Sequence, residues 1–318
     1  MGKIVFWNAA KVDFDKGLQF DSLSSLGEYV GYYDTPADQL SARAEGAEVV
    51  ITKELPLGAD TIDALPEQTK LICEAGTGFN NIDLDAARAR GITVCNVPGY
   101  STAGVAQLAM TYVLNFSSSM ALQQLMIERG DFGNFTNHLQ VPLFELQDKT
   151  LGIVGLGAIG RRVARIANAL NMNILAYSPH RRPEPGIDIE FVELEDIFSR
   201  VDFLSLHCPL TPATKHLINA ERLKRMKNSA YLINTSRGAL VNEEDLLSAL
   251  RAGEIAGAGL DVQEVEPATP DNPLFGEENV FMTPHIGWKT VESRQRLLEL
   301  MAKNISAYMD GAPINVVS

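Results

Sequence analysis

Cysteine and net positive charge are scarce in this sequence of 318 residues. Its three cysteines, Cys73, Cys95 and Cys208, are too few and too scattered for a disulfide framework or a zinc site. We expect Cys73 and Cys208, which lie in apolar runs, to be buried reduced thiols, as suits a reducing cytoplasm. The net charge of −13 argues against nucleic acid and anionic membranes as main partners. An anionic substrate therefore needs a local cluster of positive groups.

Long apolar runs, internal repeats and low-complexity tracts are absent from the sequence as well. No run of about 18 apolar residues could span a bilayer. The opening MGKIVFW has no basic region before an apolar segment, so we expect no signal peptide. Hydrophobic residues make up 46% and charged residues 21% of the chain, which is typical of a soluble globular protein with room for two domains.

Short apolar runs do occur, and they alternate with helical patterns. Five of them (KIVFW, YVGYY, AEVVIT, KLICEA, ITVCNV) precede a long helical stretch from about Ser101 to Arg129, and seven follow it. The predicted fold class is therefore α/β with two doubly wound parallel sheets. The amphipathic stretch 291–309 is expected to return to the first domain. The predicted domains are 1–100 plus 291–318 for substrate and 101–290 for a dinucleotide.

A glycine-rich turn is the sharpest motif. Gly155, Gly157 and Gly160 follow the strand pattern TLGIV and open the helix pattern IGRRVARIANAL. The first glycine permits the tight turn, the second admits a pyrophosphate, and the third packs the helix on the strand. The helix N-terminus then offers free N–H groups to the phosphates. This context predicts a dinucleotide site.

Charged side chains follow three further strands of the same domain. Arg237 comes after YLINTS, Asp261 and Glu266 lie in GLDVQEVEP, and His285 lies in VFMTPHIGW. Each alone has an ordinary alternative role, as a surface ion pair, a solvated acid or a packed loop histidine. Because ligands bind at the carboxyl edge of such sheets, their joint placement beside a dinucleotide turn predicts an active site.

At these residues the chain resembles the D-isomer-specific 2-hydroxyacid dehydrogenases over nearly its whole length. The motifs that carry the resemblance are GTGFNNIDLDAA, VPGYSTAGVAQ, LGIVGLGAIGRRVAR, LHCPLTPATKHLIN, INTSRGALVNEEDLLSAL, AGLDVQEVEP and TPHIGW. The resemblance implies a flavodoxin-like substrate domain, a Rossmann domain, an active site in the cleft and a homodimer formed mainly through the nucleotide domains.

The resemblance also implies roles for individual residues. Arg237, Glu266 and His285 become the catalytic set, and Asp261 becomes a partner of the nicotinamide carboxamide. The backbone of Gly76, Thr77 and Gly78 becomes part of the grip on the substrate carboxylate. We predict further cofactor contacts, by motif position, at Ala158, Ile159, Cys208, Pro209 and Thr235.

The chemistry of keto-acid reduction agrees with this set. The guanidinium of Arg237 can fix a carboxylate with two hydrogen bonds and polarise the keto oxygen. His285 can donate a proton near neutral pH. Glu266 is expected to stabilise the imidazolium and fix its tautomer. One arginine, backbone amides and a helix end would thus hold an anion inside an acidic protein.

The substrate is predicted from one departure and one similarity within the family. Phosphoglycerate dehydrogenases carry an Arg-Ser-x-Thr pattern after the third strand, whereas this chain has Thr52-Lys53-Glu54-Leu55. Trp288, three residues after His285, is similar to glycerate dehydrogenases and is predicted to bind substrate, with an interface or core role as its alternative. Hydroxypyruvate or glyoxylate is therefore the favoured substrate. Another 2-hydroxyacid dehydrogenase, of phosphoglycerate or D-lactate type, and a nicotinamide-binding corepressor stay open as alternatives.

The stretch ILAYSPHRRPEPG predicts the cofactor. Ser178 lies 23 positions beyond Gly155 (178 − 155), where an NAD enzyme is expected to have a ribose-binding Asp. Arg181 and Arg182 follow, and an arginine here accommodates the 2′-phosphate of NADP. The alternative is that these arginines are only solvated. We therefore expect NADP(H) to be favoured over NAD(H), with no metal.

Overall fold

The structure is a computed structural model and describes residues 2–318. The chain forms two compact units. One contains the described residues up to Ser101 together with Trp288–Ser318, and the other contains Thr102–Gly287. Each unit has its own sheet and its own hydrophobic core.

The first unit contains a five-stranded parallel sheet with the strand order β2-β1-β3-β4-β5, which is flavodoxin-like. Its central strands are almost wholly buried, as expected for a parallel sheet covered on both faces. The strands are β1 Lys3–Phe6, β2 Glu28–Gly31, β3 Ala47–Thr52, β4 Leu71–Glu74 and β5 Thr93–Cys95, and the helices between them are α1 Asp21–Ser24, α2 Leu40–Arg43, α3 Ala59–Asp63 and α4 Leu84–Ala89.

The second unit starts with helices, where the sequence predicts one continuous helix from about Ser101 to Arg129. The structure instead has α5 Thr102–Ser118 and α6 Met120–Glu128, separated by Ser119 in the left-handed conformation (φ 48°). The reason is a run of serines: Ser117 and Ser118 donate to the carbonyl of Leu114, and Ser119 donates to that of Pro142. Such side-chain bonds compete with the helix backbone. The short helix α7 Gly133–Thr136 follows.

A seven-stranded parallel sheet forms the rest of the second unit, in the order β12-β11-β10-β9-β6-β7-β8. The order reverses between β6 and β9, which is the Rossmann switch point where dinucleotides bind. The strands are β6 Thr150–Val154, β7 Asn173–Tyr177, β8 Glu190–Phe191, β9 Phe203–Leu206, β10 Tyr231–Asn234, β11 Gly257–Leu260 and β12 Val280–Met282, and the helices are α8 Ala158–Ala169, α9 Leu194–Ile197, α10 Ala220–Arg225 and α11 Glu243–Arg251.

The last helix, α12 Val291–Met309, packs on the sheet of the first unit. It begins after Thr290, whose hydroxyl accepts from the amide of Ser293 at 3.2 Å, and its apolar face joins the core beside β4. The predicted fold class, α/β with two doubly wound parallel sheets, is confirmed. Within residues 2–318, no helix is long and apolar enough to cross a membrane.

Candidate active site

The glycine-rich turn lies between β6 and α8 and leaves room for a phosphate group. Gly155 has φ 98°, and a Cβ there would approach the backbone of His207 and Cys208 to 2.6 Å. A Cβ on Gly160 would lie 2.3 Å from the carbonyl oxygen of Gly155. At Gly157, which caps α8, a Cβ would meet nothing within 4 Å, and no side chain caps the helix. The free N–H groups of α8 therefore face open space, which fits a pyrophosphate.

The residues around this turn also fit a dinucleotide. The hydroxyl of Thr235 is buried and has no hydrogen-bond partner within residues 2–318, so it is available to a ligand. Burial raises the pKa of Cys208 to about 11, which keeps the thiol protonated, and its carbonyl accepts from Ser236 Oγ at 2.7 Å. Burial lowers the pKa of His207 to about 4, so its imidazole is neutral. The other predicted contacts lie on or near the surface: Ala158, Ile159 and Pro209.

The ribose end of the candidate cofactor site begins where β7 ends, at Ser178. No carboxylate stands at that position. Arg181 is half exposed and forms an ion pair with Glu193. The exposed side chain of Arg182 makes no hydrogen bond or ion pair with any residue from 2 to 318. The structure thus distinguishes two arginines that the sequence treats alike.

Sequence analysis missed the carboxylate that holds this loop. Glu184 is buried and accepts from Arg161 and Arg165 on α8. These hydrogen bonds lower its pKa. Arg161 also donates to the carbonyl of Arg182 at 3.0 Å. The loop after β7 is therefore fixed to the helix that begins at the glycine turn.

Arg237 lies in the turn that follows β10. Its carbonyl accepts from Asn234 Nδ2 at 2.8 Å, and its Nη1 donates to the carbonyl of Ser236 at 2.8 Å. A Cβ on the next residue, Gly238, would fall 1.8 Å from the carbonyl oxygen of Gln263. Only glycine allows this turn to approach the segment after β11 so closely.

His285 and Glu266 form a hydrogen-bonded pair. The distance from His285 Nδ1 to Glu266 Oε2 is 2.8 Å, and the side chains are 30% and 34% exposed. The other carboxylate oxygen of Glu266 accepts from the amide of Gln263 at 3.0 Å. Gln263, which sequence analysis did not single out, therefore links the turn of Arg237 to this pair. The carboxylate holds Nδ1, and the distal Nε2 of His285 makes no hydrogen bond with any residue from 2 to 318.

Asp261 lies beneath the loop that carries His285. It is 1% exposed and accepts from Thr283 Oγ1 at 2.6 Å and from the amides of Ile286 and Gly287 at 2.7 and 2.9 Å. Burial raises its pKa, and these hydrogen bonds oppose that shift. These contacts hold the loop. The contact of Asp261 with a nicotinamide carboxamide stays a prediction.

The loop Gly76-Thr77-Gly78 follows β4 in the first unit. The carbonyls of Gly76 and Thr77 accept from Val97 N at 2.8 Å and from Asn96 Nδ2 at 2.7 Å. The three amides of the loop donate to no acceptor within residues 2–318. Fixed carbonyls and free amides are what an anion-binding loop requires.

Trp288 belongs to the core of the first unit. It is 6% exposed, and its ring lies edge-on to Tyr100 with 6.5 Å between centroids. The ammonium of Lys53 lies 4.3 Å from the Trp288 ring centroid and 2.5 Å from Glu54 Oε1. This packing matches the alternative core role of Trp288. A contact with substrate stays a prediction.

Comparisons with known proteins show the family to which the chain belongs. The family described as D-isomer specific 2-hydroxyacid dehydrogenase, NAD binding domain, matches residues 110–287. A hydroxypyruvate reductase of Blautia hydrogenotrophica is 35% identical over 307 residues, which cover 95% of each chain. A glycerate dehydrogenase of Methylorubrum extorquens is 38% identical over 295 residues, covering 91% of this chain and 92% of the other.

A solved structure agrees with these sequence matches. A protein from Thermus thermophilus superposes with a TM-score of 0.86 at 34% identity and covers 99% of this chain and 100% of its own. These matches confirm the predicted resemblance. They also confirm that the protein is an oxidoreductase that uses a nicotinamide cofactor. The chain belongs to the D-isomer-specific 2-hydroxyacid dehydrogenase family.

Proposed function

We propose that this enzyme reduces a small 2-keto acid, hydroxypyruvate or glyoxylate, to D-glycerate or glycolate. The observation that carries the proposal is the pair formed by His285 and Glu266, joined through Gln263 to the turn of Arg237. An arginine that binds a carboxylate and a histidine that moves a proton are the two protein groups this reduction requires.

Each member of the catalytic set has a distinct role. Arg237 binds and orients the keto acid and stabilises negative charge on the keto oxygen. His285, protonated, gives the proton at Nε2 to that oxygen, and Glu266 stabilises the imidazolium through Nδ1. The nicotinamide, when bound, supplies the hydride to the keto carbon. Hydride and proton together convert the ketone to the alcohol.

The first unit supports a small, unphosphorylated substrate. Lys53 is the cation in the segment where phosphoglycerate dehydrogenases carry Arg-Ser-x-Thr. Its ammonium is buried against Trp288 and paired with Glu54, so it does not offer a free charge to a phosphate. The free amides of the Gly76-Thr77-Gly78 loop support a role for that loop in binding a carboxylate. The names of the relatives agree with this choice of substrate.

The direct test is a panel of keto acids monitored at 340 nm with NADPH and with NADH. We expect the highest kcat/KM with hydroxypyruvate or glyoxylate, and lower values with pyruvate and phosphohydroxypyruvate. Preference for phosphohydroxypyruvate or pyruvate would favour the phosphoglycerate or D-lactate alternative. Tight cofactor binding without turnover of any keto acid would favour the corepressor alternative.

We propose that NADPH is the preferred cofactor. Ser178 stands where a carboxylate would repel a 2′-phosphate, and the side chain of Arg182 is exposed and available to one. Arg181 is already paired with Glu193, so its contribution requires that ion pair to open. The loop is held by Glu184, which limits the cost of ordering it around a phosphate.

We propose that the protein is a cytoplasmic homodimer formed through the second unit. Large apolar side chains are exposed around α6 and α7, and a cavity of about 210 Å³ lined partly by Phe116 and Leu122 lies beside them. Burying such a surface against a second copy removes it from water. Its exposed members are Met120, Phe132, Phe135, Leu139 and Leu143. The compartment is supported by three buried, free cysteines.

Light scattering coupled to gel filtration tests the dimer. We expect the mass of two chains for the wild type and of one chain for Phe135→Glu, which places a charge in the apolar surface. A wild-type protein that elutes with the mass of one chain would contradict the proposal.

A further inference from the structure

A hydrogen-bonded chain of three side chains runs from α5 to the loop that carries His285. Tyr112 on α5 is 4% exposed, and its hydroxyl lies 2.6 Å from Thr283 Oγ1. Thr283 Oγ1 in turn lies 2.6 Å from Asp261 Oδ1. Because Thr283 is two residues before His285, the chain ends at the base of the catalytic loop.

The direction of each hydrogen bond follows from the donors around Asp261 and from the single proton that each hydroxyl carries. The amides of Ile286 and Gly287 donate to the two oxygens of Asp261, and backbone N–H groups cannot act as acceptors. The Thr283 hydroxyl likewise donates to Asp261 Oδ1. The hydroxyl of Thr283 has one proton, which this bond uses. The phenol of Tyr112 must then donate to Thr283.

The loop that this chain holds is in a conformation that needs external support. His285 has φ 50°, in the left-handed region that non-glycine residues seldom adopt. Its amide donates to the carbonyls of Asp261 at 2.8 Å and of Thr283 at 3.0 Å. A loop in this conformation persists when its surroundings over-determine it. The Thr283 hydroxyl and its Tyr112 donor are part of that restraint.

The sequence makes room for Tyr112 at a specific position. A Cβ on Gly259, in β11, would lie 2.6 and 2.7 Å from two ring atoms of Tyr112 and 2.9 Å from its Cβ. A side chain at residue 259 would therefore displace the phenol from Thr283. Gly259 therefore allows the Tyr112 ring to pack against β11 with its hydroxyl at Thr283.

We infer that Tyr112, acting through Thr283 and Asp261, is a positioning residue for the general acid His285. This inference rests on the proposed function. The phenol touches neither of the proposed reacting groups. The phenol orients the Thr283 hydroxyl, which in turn holds the carboxylate of Asp261. This carboxylate accepts from the backbone amides of Ile286 and Gly287, which follow His285. Loss of the Tyr112 hydroxyl should lower kcat and leave KM almost unchanged.

The test compares Tyr112→Phe with Tyr231→Phe. Both tyrosines are buried in the same core cluster, but the hydroxyl of Tyr231 donates to no residue from 2 to 318. We expect Tyr112→Phe to lower kcat by about 3- to 10-fold, the equivalent of one hydrogen bond, with KM within about twofold. Tyr231→Phe should match the wild type. A full kcat for Tyr112→Phe, or an equal loss in both variants, would overturn the inference.

Variants of Thr283 separate the hydroxyl from the shape of the side chain. Thr283→Val removes the central link at constant volume, and we expect a loss in kcat of about 10-fold or more. Thr283→Ser keeps the hydroxyl and should recover most of that loss. A serine variant as slow as the valine variant would show that the methyl group, not the chain of hydrogen bonds, is what the loop requires.

Hydrogen–deuterium exchange gives a measurement that does not depend on activity. The amides of residues 285–287 should exchange several-fold faster in Tyr112→Phe and at the wild-type rate in Tyr231→Phe. Unchanged exchange would overturn the inference, and so would faster exchange at full kcat. If the wild type reduces no keto acid, the proposed function fails, and the exchange rates still decide whether Tyr112 holds the loop.

Discussion

Two histidine–glutamate pairs lie in the second unit, and they are alike in most respects. His285 pairs with Glu266 at 2.8 Å and His216 pairs with Glu264 at 2.6 Å. The four side chains are between 30% and 35% exposed. Both histidines have φ 50°. A short contact to a carboxylate, partial exposure and an unusual backbone therefore do not by themselves identify a general acid.

The two pairs differ in the nitrogen that the carboxylate holds. Glu266 holds Nδ1 of His285 and leaves the distal Nε2, which reaches farthest from the backbone. Glu264 holds Nε2 of His216 and leaves Nδ1, which lies beside the backbone of His216 itself. Asp261 also anchors the loop of His285 from below. The two pairs therefore differ in the ring nitrogen that is left without a partner among residues 2–318 and in the hydrogen bonds that hold the loop.

Replacing each histidine in turn should give the largest difference between the pairs. We expect His285→Ala to lower kcat by roughly 10²–10⁴-fold, because the proton donor is lost. His216→Ala should change kcat by less than about twofold, since its distal nitrogen is already engaged. Steady-state kinetics on hydroxypyruvate measure both effects, and circular dichroism checks the fold. Comparable losses in the two variants would break the distinction.

Arg237 sharpens the comparison, because its turn contacts both pairs. The carbonyl of Ala239 accepts from the amide of His216, while Gly238 abuts Gln263, which donates to Glu266. We expect Arg237→Ala to lower kcat/KM by about 10²–10³-fold with a raised KM, because two charge-assisted hydrogen bonds are lost.

Arg237→Lys is the matched control for that variant. It keeps the charge without the planar fork, so kcat/KM should lie between those of the alanine variant and the wild type. An unchanged KM in Arg237→Ala would mean that this residue does not bind the substrate.

How far the sequence predicts this site depends on the kind of interaction. The α/β fold class and the choice of His285, Glu266 and Arg237 follow from alternating patterns and motifs, because these are local in the sequence. The links made by Gln263, Glu184 and Tyr112 were missed. Each joins segments that lie far apart in the chain, and ordinary residue types at these positions give no local signal. The break at Ser119 was missed because single hydroxyl-to-carbonyl bonds decide it.

Arg181 and Arg182 also differ in pairing, because Arg181 forms an ion pair with Glu193 and the side chain of Arg182 makes none with residues 2–318. The wild type should prefer NADPH over NADH by about tenfold to a hundredfold in kcat/KM, as two partly exposed charge-assisted hydrogen bonds would give. Because Arg181 is paired with Glu193, Arg182→Ala alone should remove most of that preference, and Arg181→Ala little. The double variant is the reference for complete loss. NADH preference in the wild type would contradict the cofactor proposal.

The smallest effect should come from changing the charge of each glutamate while keeping its shape. Glu266→Gln has one amide oxygen, which can still accept from His285 Nδ1 and keep the tautomer. Its amide nitrogen cannot accept from Gln263, and the imidazolium loses its counter-charge. Keto-acid reduction should then fall off at a lower pH than in the wild type. Glu264→Gln, the matched control at the other pair, should leave the profile of kcat against pH unchanged. Equal profiles for Glu266→Gln and the wild type would remove Glu266 from its role. A shift in Glu264→Gln alone would transfer the roles of Glu266 and His285 to Glu264 and His216.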